Sequence, residues 1–374
     1  MRLIHIADLH LGVRINEFSM IEEQRFVLSQ IRDLAAQYRA DAVLIAGDVY
    51  DRSIPPVEAV QLLDSFLTSL PCPACIISGN HDSAERLEFG AGFLEKQGIH
   101  IQGTLKKPVS HVDFEDSYGT VEVWMLPFVR PETVRPLGFS GTDYEAAVKF
   151  MMESIPKESP NRRILMAHQY VVSDETARKA SNDLNVGGLD QIPASCFQDF
   201  DYVALGHIHA AQCVGSPTIC YSGTPLKYSF SEVFQEKRAV LVTIEKKGQV
   251  ELTSLGLKPL HDWREIRGPI SRLCDPLIAV QADTQDYIRA ILTDEGVYDA
   301  VGQLRSVYPN LMRIDFDNSR TRNSQETALE MEEPPRMDSL EELFAKFYED
   351  QCQKALPDED RKLIRQILNK GETL

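Results

Sequence analysis

Over its first 260 residues the chain alternates short apolar runs with longer stretches of helical period. The apolar runs at 2–7, 42–47, 74–78, 121–127, 163–167, 201–205, 218–222 and 239–245 predict strands. After the first of them, Ser19 and Glu22 form a capping-box signature, and Val27, Ile31, Leu34, Ala35 and Tyr38 lie on one stripe. That pattern predicts a helix, and further helices are expected at 57–69, 84–97, 143–154 and 174–181. Strands and helices alternating in this way predict a layered α/β domain.

The period changes around LKPLHDWREIRGP (257–269). The following pattern is strand-like at 262–267 and 277–282, helical at 284–294 and 298–307, and strand-like at 311–317, which predicts a small α+β module over 261–318. Residues 319–338 are polar, acidic and broken by Pro334 and Pro335, and read as a flexible linker. In the tail, 339–374, Ser339 and Glu342 cap a helix carrying Leu340, Leu343, Phe344, Phe347 and Tyr348. A second helix after Pro357 carries Leu363, Ile364, Ile367 and Leu368.

Composition adds limits. With 43% hydrophobic and 25% charged residues the chain reads as globular. No run approaches the ~20 apolar residues of a membrane helix, and acidic and histidine residues interrupt the N-terminal apolar run, so a cytoplasmic protein without a membrane partner is expected. The seven cysteines are scattered; CPAC (72–75) has no second pair or nearby histidine to complete a zinc site, and all read as small hydrophobes in a reducing compartment. The net charge of −17 argues against general affinity for polyanions. Any nucleic-acid contact then needs a local basic patch, a metal site or a partner chain.

The chemistry sits at the strand ends. LIHIADLH finishes in Asp8 and His10, AVLIAGD in Asp48, and CIISGNHD in Asn80, His81 and Asp82; ILMAH finishes in His168, and YVALGHIH in His207 and His209. Five strands thus end in metal-ligand side chains at their carboxyl ends, the edge of an open α/β sheet where ligands bind. Gly47, Gly79 and Gly206 accompany three of them, as suits a chain turning close to a ligand. Carboxylate, amide and imidazole donors without a thiolate suit Mn²⁺, Fe²⁺ or Mg²⁺. Asp8, His10, Asp48, Asn80, His168, His207 and His209 are too many for one octahedral ion that keeps water. Two ions roughly 3.5–4 Å apart, bridged by Asp48, would use them all and favour phosphoester hydrolysis. His5 has the opposite strand parity and is expected in the core; His100, His111 and His261 read as surface or structural. LKKP (105–108) and NRR (161–163) read as solvated loops.

The order D-x-H, G-D-x-x-D, G-N-H-D, H, G-H-x-H resembles the calcineurin-like metallophosphoesterase superfamily. Within it, HIADLHLG, AGDVYDRSIPP, SGNHDS, ALGHIHAAQ and YSGTPLKYSFSE are similar to the SbcD family of nuclease subunits, which act in bacterial SbcCD complexes. YPNLMRIDF (308–316) and SLEELFAKFYED (339–350) resemble that family's cap and its ATPase-binding segment.

The resemblance implies a layered β-sandwich flanked by helices over 1–260, an α+β cap that positions DNA over 261–318, and a helical pair over 339–374 that docks a coiled-coil ATPase. It implies Asp8, His10, Asp48 and His209 around one Mn²⁺ and Asp48, Asn80, His168 and His207 around the other, with Mg²⁺ or Fe²⁺ as substitutes. His81 matches the catalytic histidine, with Asp82 to orient it. Asp51 closes G-D-x-x-D, where some relatives carry a histidine, and its role stays open. Arg14, Lys227 and Tyr228 stand as candidates for the DNA backbone. The implied activities are a 3′–5′ exonuclease on duplex ends and hairpins and a single-strand endonuclease, in DNA repair, recombination and replication. The implied assembly is a homodimer within a heterotetramer, and 57–69 and 84–97 resemble the family's dimer helices. The alternative is a phosphodiesterase or phosphatase of the same superfamily on small substrates. No GxxxxGK[ST] occurs, so ATP must act through another chain.

Overall fold

Two six-stranded sheets lie face to face, and helices cover both outer sides. The computed structural model describes residues 1–176 and 190–318, with single positions at 344, 348, 357, 360 and 361. In the first sheet the strands run in the spatial order Val250–Gly256, Arg238–Ile244, Arg2–Ile6, Ala42–Ala46, Ala74–Ile77, Ile99–Gln102. The last four are mutually parallel, and the first two are antiparallel additions. The second sheet runs Gln212–Cys213, Ile219–Tyr221, Tyr202–Gly206, Arg162–His168, Gly119–Leu126, Ser110–Asp116, with its four central strands parallel.

Alternation along each strand decides the layers. Leu3, Leu44 and Ile77 face Val123, Ile164 and Ala204 between the sheets. Their neighbours Ile4, Ile45 and Ile76 pack outward on helices Ile21–Tyr38 and Val57–Ser69. On the other side Leu165 and Val203 pack on helix Tyr144–Met152. Strands buried on both faces need apolar residues at nearly every position, which is why these runs stand out in the sequence. His5 lies between the sheets, its Nδ1 2.9 Å from the Tyr202 hydroxyl.

Local signals misled in several places. Ser19 does not cap the first helix: it pairs with Arg14 in a two-residue hairpin, and Met20 precedes the helix with no side-chain cap. The stretch 84–97 is broken into Ala84–Leu87, Ala91–Leu94 and a 3₁₀ turn, because Gly90 takes φ 79. NRR is no solvated loop, since Arg162 and Arg163 are buried in a central strand. The Arg162 guanidinium binds the Asp116 carboxylate and the carbonyls of Gly119, Ile244 and Glu245, tying together both sheets. Cys213 and Cys220, read as free thiols, oppose each other on antiparallel strands and form a disulfide.

The module after residue 260 is a parallel three-stranded sheet, Trp263–Gly268, Tyr287–Leu292, Leu311–Phe316, with helices Ile270–Leu273, Pro276–Ala279 and Ala300–Arg305. Two assignments are exchanged relative to the sequence pattern. Asp275 caps a helix with Pro276 in its first turn, where a strand is expected. The stretch 284–294, expected helical, holds the central strand, whose Tyr287, Ile288, Ala290 and Leu292 are buried by neighbours on both sides. Packing overrides the propensity of a short run there. Phe18, Phe230, Trp263 and Tyr287 join this module to the sandwich. The expected linker and tail helices, and most of 174–181, lie outside the described residues. Among those described, no helix is long and apolar enough to cross a membrane.

Candidate metal centre

The chain emerging from five parallel strands meets at one edge of the sandwich. Just past the strand ends the backbone turns through the left-handed region. Asp8 (φ 55), His10 (φ 44), Asp48 (φ 47) and His207 (φ 100) are four of seven non-glycine residues there among those described. Each such position costs on the order of 1–3 kcal/mol, so side-chain placement outweighs local preference at this edge. The turns brace one another. The Asp8 amide donates to the Gly47 carbonyl and the His10 amide to the Asp48 carbonyl, both at 3.0 Å. The His207 amide donates to both Asp8 carboxylate oxygens, at 2.9 and 3.1 Å, and the His81 amide donates to Asp48 Oδ1 at 2.8 Å.

Eight of the nine sequence-derived residues gather in overlapping sets, His81 joining through His10 and Asp48, and Asp8 also standing with Asp48 and His168. In one, His10 Nε2 faces His209 Nε2 at 3.3 Å and Asp48 Oδ2 at 3.8 Å. Single donor atoms of Asp8, His10 and His209 all lie within 4.8 Å of one another. In the other, the Asn80 carboxamide oxygen lies 3.1 Å from His168 Nε2 and 2.9 Å from His207 Nδ1. His168 Nε2 lies 3.3 Å from Asp48 Oδ2, so Asp48 belongs to both sets. His168 Nδ1 donates to the Ala46 carbonyl at 2.9 Å, which aims Nε2 inward.

Electrostatics fit a cation. Asp8 and Asp48 are 0% and 2% exposed, and among the described residues neither pairs with a lysine or arginine. Carboxylates taken out of water need compensating charge, and oxygen and imidazole donors around them suit divalent ions. Burial above all pushes Asp8 up to about 6, with the Asp48 charge adding to it. Burial also opposes the charge on Asp48, but His168 and His10 beside it hold that carboxyl below the usual range. Burial drives His10 down to about 3 and His207 down to about 4, so each keeps a lone pair for a ligand bond. Burial works against a charge on His168, yet Asp48 raises it to about 9. The proton it holds is the positive charge the carboxylates attract, and a divalent ion on the same atoms would displace it.

His81 and Asp82 stand differently. The His81 ring is exposed, edge-on to His10 at 4.9 Å between centroids, with Nδ1 2.9 Å from the Asp51 carbonyl. Asp82 accepts from the amides of Val49, Tyr50 and Gly79 at 2.9–3.1 Å. Its carboxylate braces two strand-end loops, and the partner of the His81 ring is a backbone carbonyl instead. Of the expected DNA contacts, Lys227 is tied to Asp262 at 2.7 Å and the Tyr228 hydroxyl to the Leu9 carbonyl at 2.6 Å; Arg14 stays exposed. Sequence reasoning missed Gln24, whose carboxamide holds the Gly12 amide and the His10 carbonyl at 2.9 and 2.8 Å. It also left Thr224 and Glu232 without roles, although both lie in the quoted stretch YSGTPLKYSFSE.

Comparison with known proteins gives independent bearings. The calcineurin-like phosphoesterase family model matches residues 1–211. A second model, the type 5 capsule protein repressor C-terminal domain, matches residues 258–351. The SbcD nuclease component of the SbcCD complex of Staphylococcus epidermidis is 30% identical over 332 residues, covering 85% of this chain and 87% of that protein. Among solved structures, a dimetal phosphatase from Danio rerio aligns with a TM-score of 0.41 at 12% identity, over 68% of this chain and 96% of that one.

Proposed function

Because the chain belongs to the calcineurin-like phosphoesterase family and, within it, to the SbcD nuclease subunits, we propose that it is the Mn²⁺-dependent nuclease of a DNA-processing complex. The observation that carries the reading is the buried carboxylate of Asp48, common to two sets of donors. One ion would be held by Asp8, His10, Asp48 and His209, the other by Asp48, Asn80, His168 and His207. Divalent ions bound there would supply Lewis-acid polarisation of the phosphate, a more acidic attacking water and compensation of charge on the leaving oxygen.

The chain's own groups supply the rest. Water adds to phosphorus and releases one proton to solvent, the bond from phosphorus to the sugar oxygen breaks, and that oxygen takes a proton. His81 is the proton donor: its Nδ1 is engaged by the Asp51 carbonyl, and its exposed ring stands beside the donor sets. Asp82 fixes the loops that carry Asp48 and Asn80. Residues 1–260 form the nuclease domain, 261–318 the cap that positions DNA, 319–338 a linker, and 339–374 the segment that docks an SbcC-like ATPase. A net charge of −17 supports a division of labour in which that partner supplies much of the affinity for DNA. Phe89 and Phe93 are 86% and 81% exposed, and Phe89 lines a groove with exposed Val60, an apolar surface that supports pairing with a second copy of this chain.

The test uses purified chain with Mn²⁺ or Mg²⁺, alone and with the ATPase subunit. Substrates are a blunt duplex, a hairpin, circular single-stranded DNA and a small phosphodiester, with Asp48→Ala and His81→Ala as controls. DNA cleavage that needs Mn²⁺ and is lost in both variants is expected, rising with partner and ATP. Turnover of the small diester with no DNA cut under any condition would reject the reading.

A further inference from the structure

The stretch YSGTPLKYSFSE (221–232) contributes no ligand to either donor set, yet it is deeply buried against one of them. Thr224 and Glu232, with Lys237 just beyond, are buried side chains in an irregular segment next to His209. One Glu232 oxygen lies 3.4 Å from His209 Nδ1. The other accepts from Lys237 Nζ at 2.6 Å. The same ammonium group reaches Thr224 Oγ1 at 2.7 Å, Gln235 Oε1 at 2.9 Å and the His209 carbonyl at 3.2 Å. The Thr224 amide donates to that carbonyl at 3.1 Å. Gly223, at φ 74, lets this strap lie on His209: a Cβ there would stand 2.6 Å from the same carbonyl oxygen. One network therefore grips His209 at both its ring and its backbone.

A buried lysine–glutamate pair is a weak device for stability, because desolvation offsets most of its attraction. Its placement gives it another use. A proton on His209 Nδ1 directed at Glu232 leaves Nε2 bare, and Nε2 is the atom that faces His10 Nε2 at 3.3 Å. The other histidines of the centre are held differently among the described residues: His168 leans on a backbone carbonyl, and His10 Nδ1 has no partner. We infer that Glu232, held in place by Lys237 and Thr224, is a positioning residue that fixes the tautomer and orientation of His209 and so strengthens one of the two cation positions selectively. The inference rests on the two-ion reading above. Carboxylate partners of ligating histidines typically contribute 10–100-fold in metal affinity.

The experiment titrates Mn²⁺ into the full chain, following free Mn²⁺ by electron paramagnetic resonance and heat by calorimetry, for wild type, Glu232→Gln, Glu232→Ala and Lys237→Met. Wild type should bind two ions with a spin-coupled signal. In Glu232→Ala one of the two affinities should fall about 10–100-fold while the other holds. The coupled signal should vanish at limiting Mn²⁺ and return in excess. Glu232→Gln keeps an acceptor of the same size and should show a smaller, like-directed effect, which covers the case that Ala fails to fold. Unchanged affinities in both Glu232 variants would overturn the inference. So would a parallel loss at both positions with a lowered melting temperature, since that marks a merely structural role. Fewer than two ions on the wild type would instead reject the two-ion reading itself.

Discussion

Gly206→Ala puts the geometry of the centre under a direct load. Gly206 ends a strand of the second sheet, where it pairs in register with His168 and lies against the end of the Ala42–Ala46 strand of the first sheet. A Cβ at this position would stand 1.9 Å from the Ala46 carbonyl oxygen and 2.7 Å from His168 Nδ1, the two atoms that hydrogen-bond to each other. A Cβ needs at least 3.0 Å, so about 1 Å must come from backbone that other strands hold. Overpacking of this kind costs roughly 1–3 kcal/mol, within the 5–15 kcal/mol of a typical domain, so the variant should still fold. A misplacement of ~1 Å at a reacting centre costs on the order of 10²-fold in rate. The assay is cleavage of single-stranded DNA at saturating Mn²⁺, beside urea unfolding. Gly248→Ala is the control, since its φ of 78 strains an alanine but nothing lies within 4 Å. The control should lose about 1–2 kcal/mol and no activity. A Gly206→Ala enzyme within threefold of the wild-type rate would refute the reasoning, because the sheets would then tolerate separation at the site.

Other expectations follow from the same structure. His5 is fully buried, and desolvation holds it down at about 3 from an ordinary 6.5, so the fold favours its neutral form. Its contribution is complete above pH 6.5 and is lost as pH falls toward 3, which at 1.36 kcal/mol per unit amounts to about 2 kcal/mol between pH 7 and pH 5. A His5→Gln variant should lose that much less stability across the interval in urea titrations, and an identical pH slope would count against it. Mn²⁺ at about 100 times its Kd should stabilise the fold by ~2.7 kcal/mol per ion; calorimetry should show excess chelator lowering the melting temperature as it abolishes cleavage, and a melting temperature indifferent to Mn²⁺ would argue against a resident ion. Replacing Phe89 and Phe93 together with Asp should halve the mass in light scattering, whereas an unchanged dimer would place the contact elsewhere.

The site was more legible than its supports, for a reason of distance along the chain. Asp8, Asp48, Asn80, His168 and His207 each follow an apolar run by one to three residues, so identifying the strand also locates the side chain at the sheet edge. The sandwich was legible because strands buried on both faces cannot hide their composition. What escaped depends on contacts between remote segments. Arg162 is a solvated charge by its neighbours and a buried one by its partners Asp116 and Ile244, which lie 46 and 82 residues away. Glu232 meets His209 across 23 residues of irregular chain with no period to follow. Residues 287–292 look helical alone and become a strand because parallel neighbours stand on both sides. The left-handed turns at Asp8, His10, Asp48 and His207 left no trace in hydrophobic pattern either.

The central claim is a centre of two divalent ions joined through Asp48, and diffraction tests it most directly. Crystals grown with Mn²⁺ and measured at the manganese absorption edge would locate each ion without reference to activity. Two anomalous peaks at this edge, both within ligand distance of Asp48, one flanked by Asp8, His10 and His209 and the other by Asn80, His168 and His207, are predicted. A single peak at full Mn²⁺ saturation, or two peaks with Asp48 bound to only one, would contradict it.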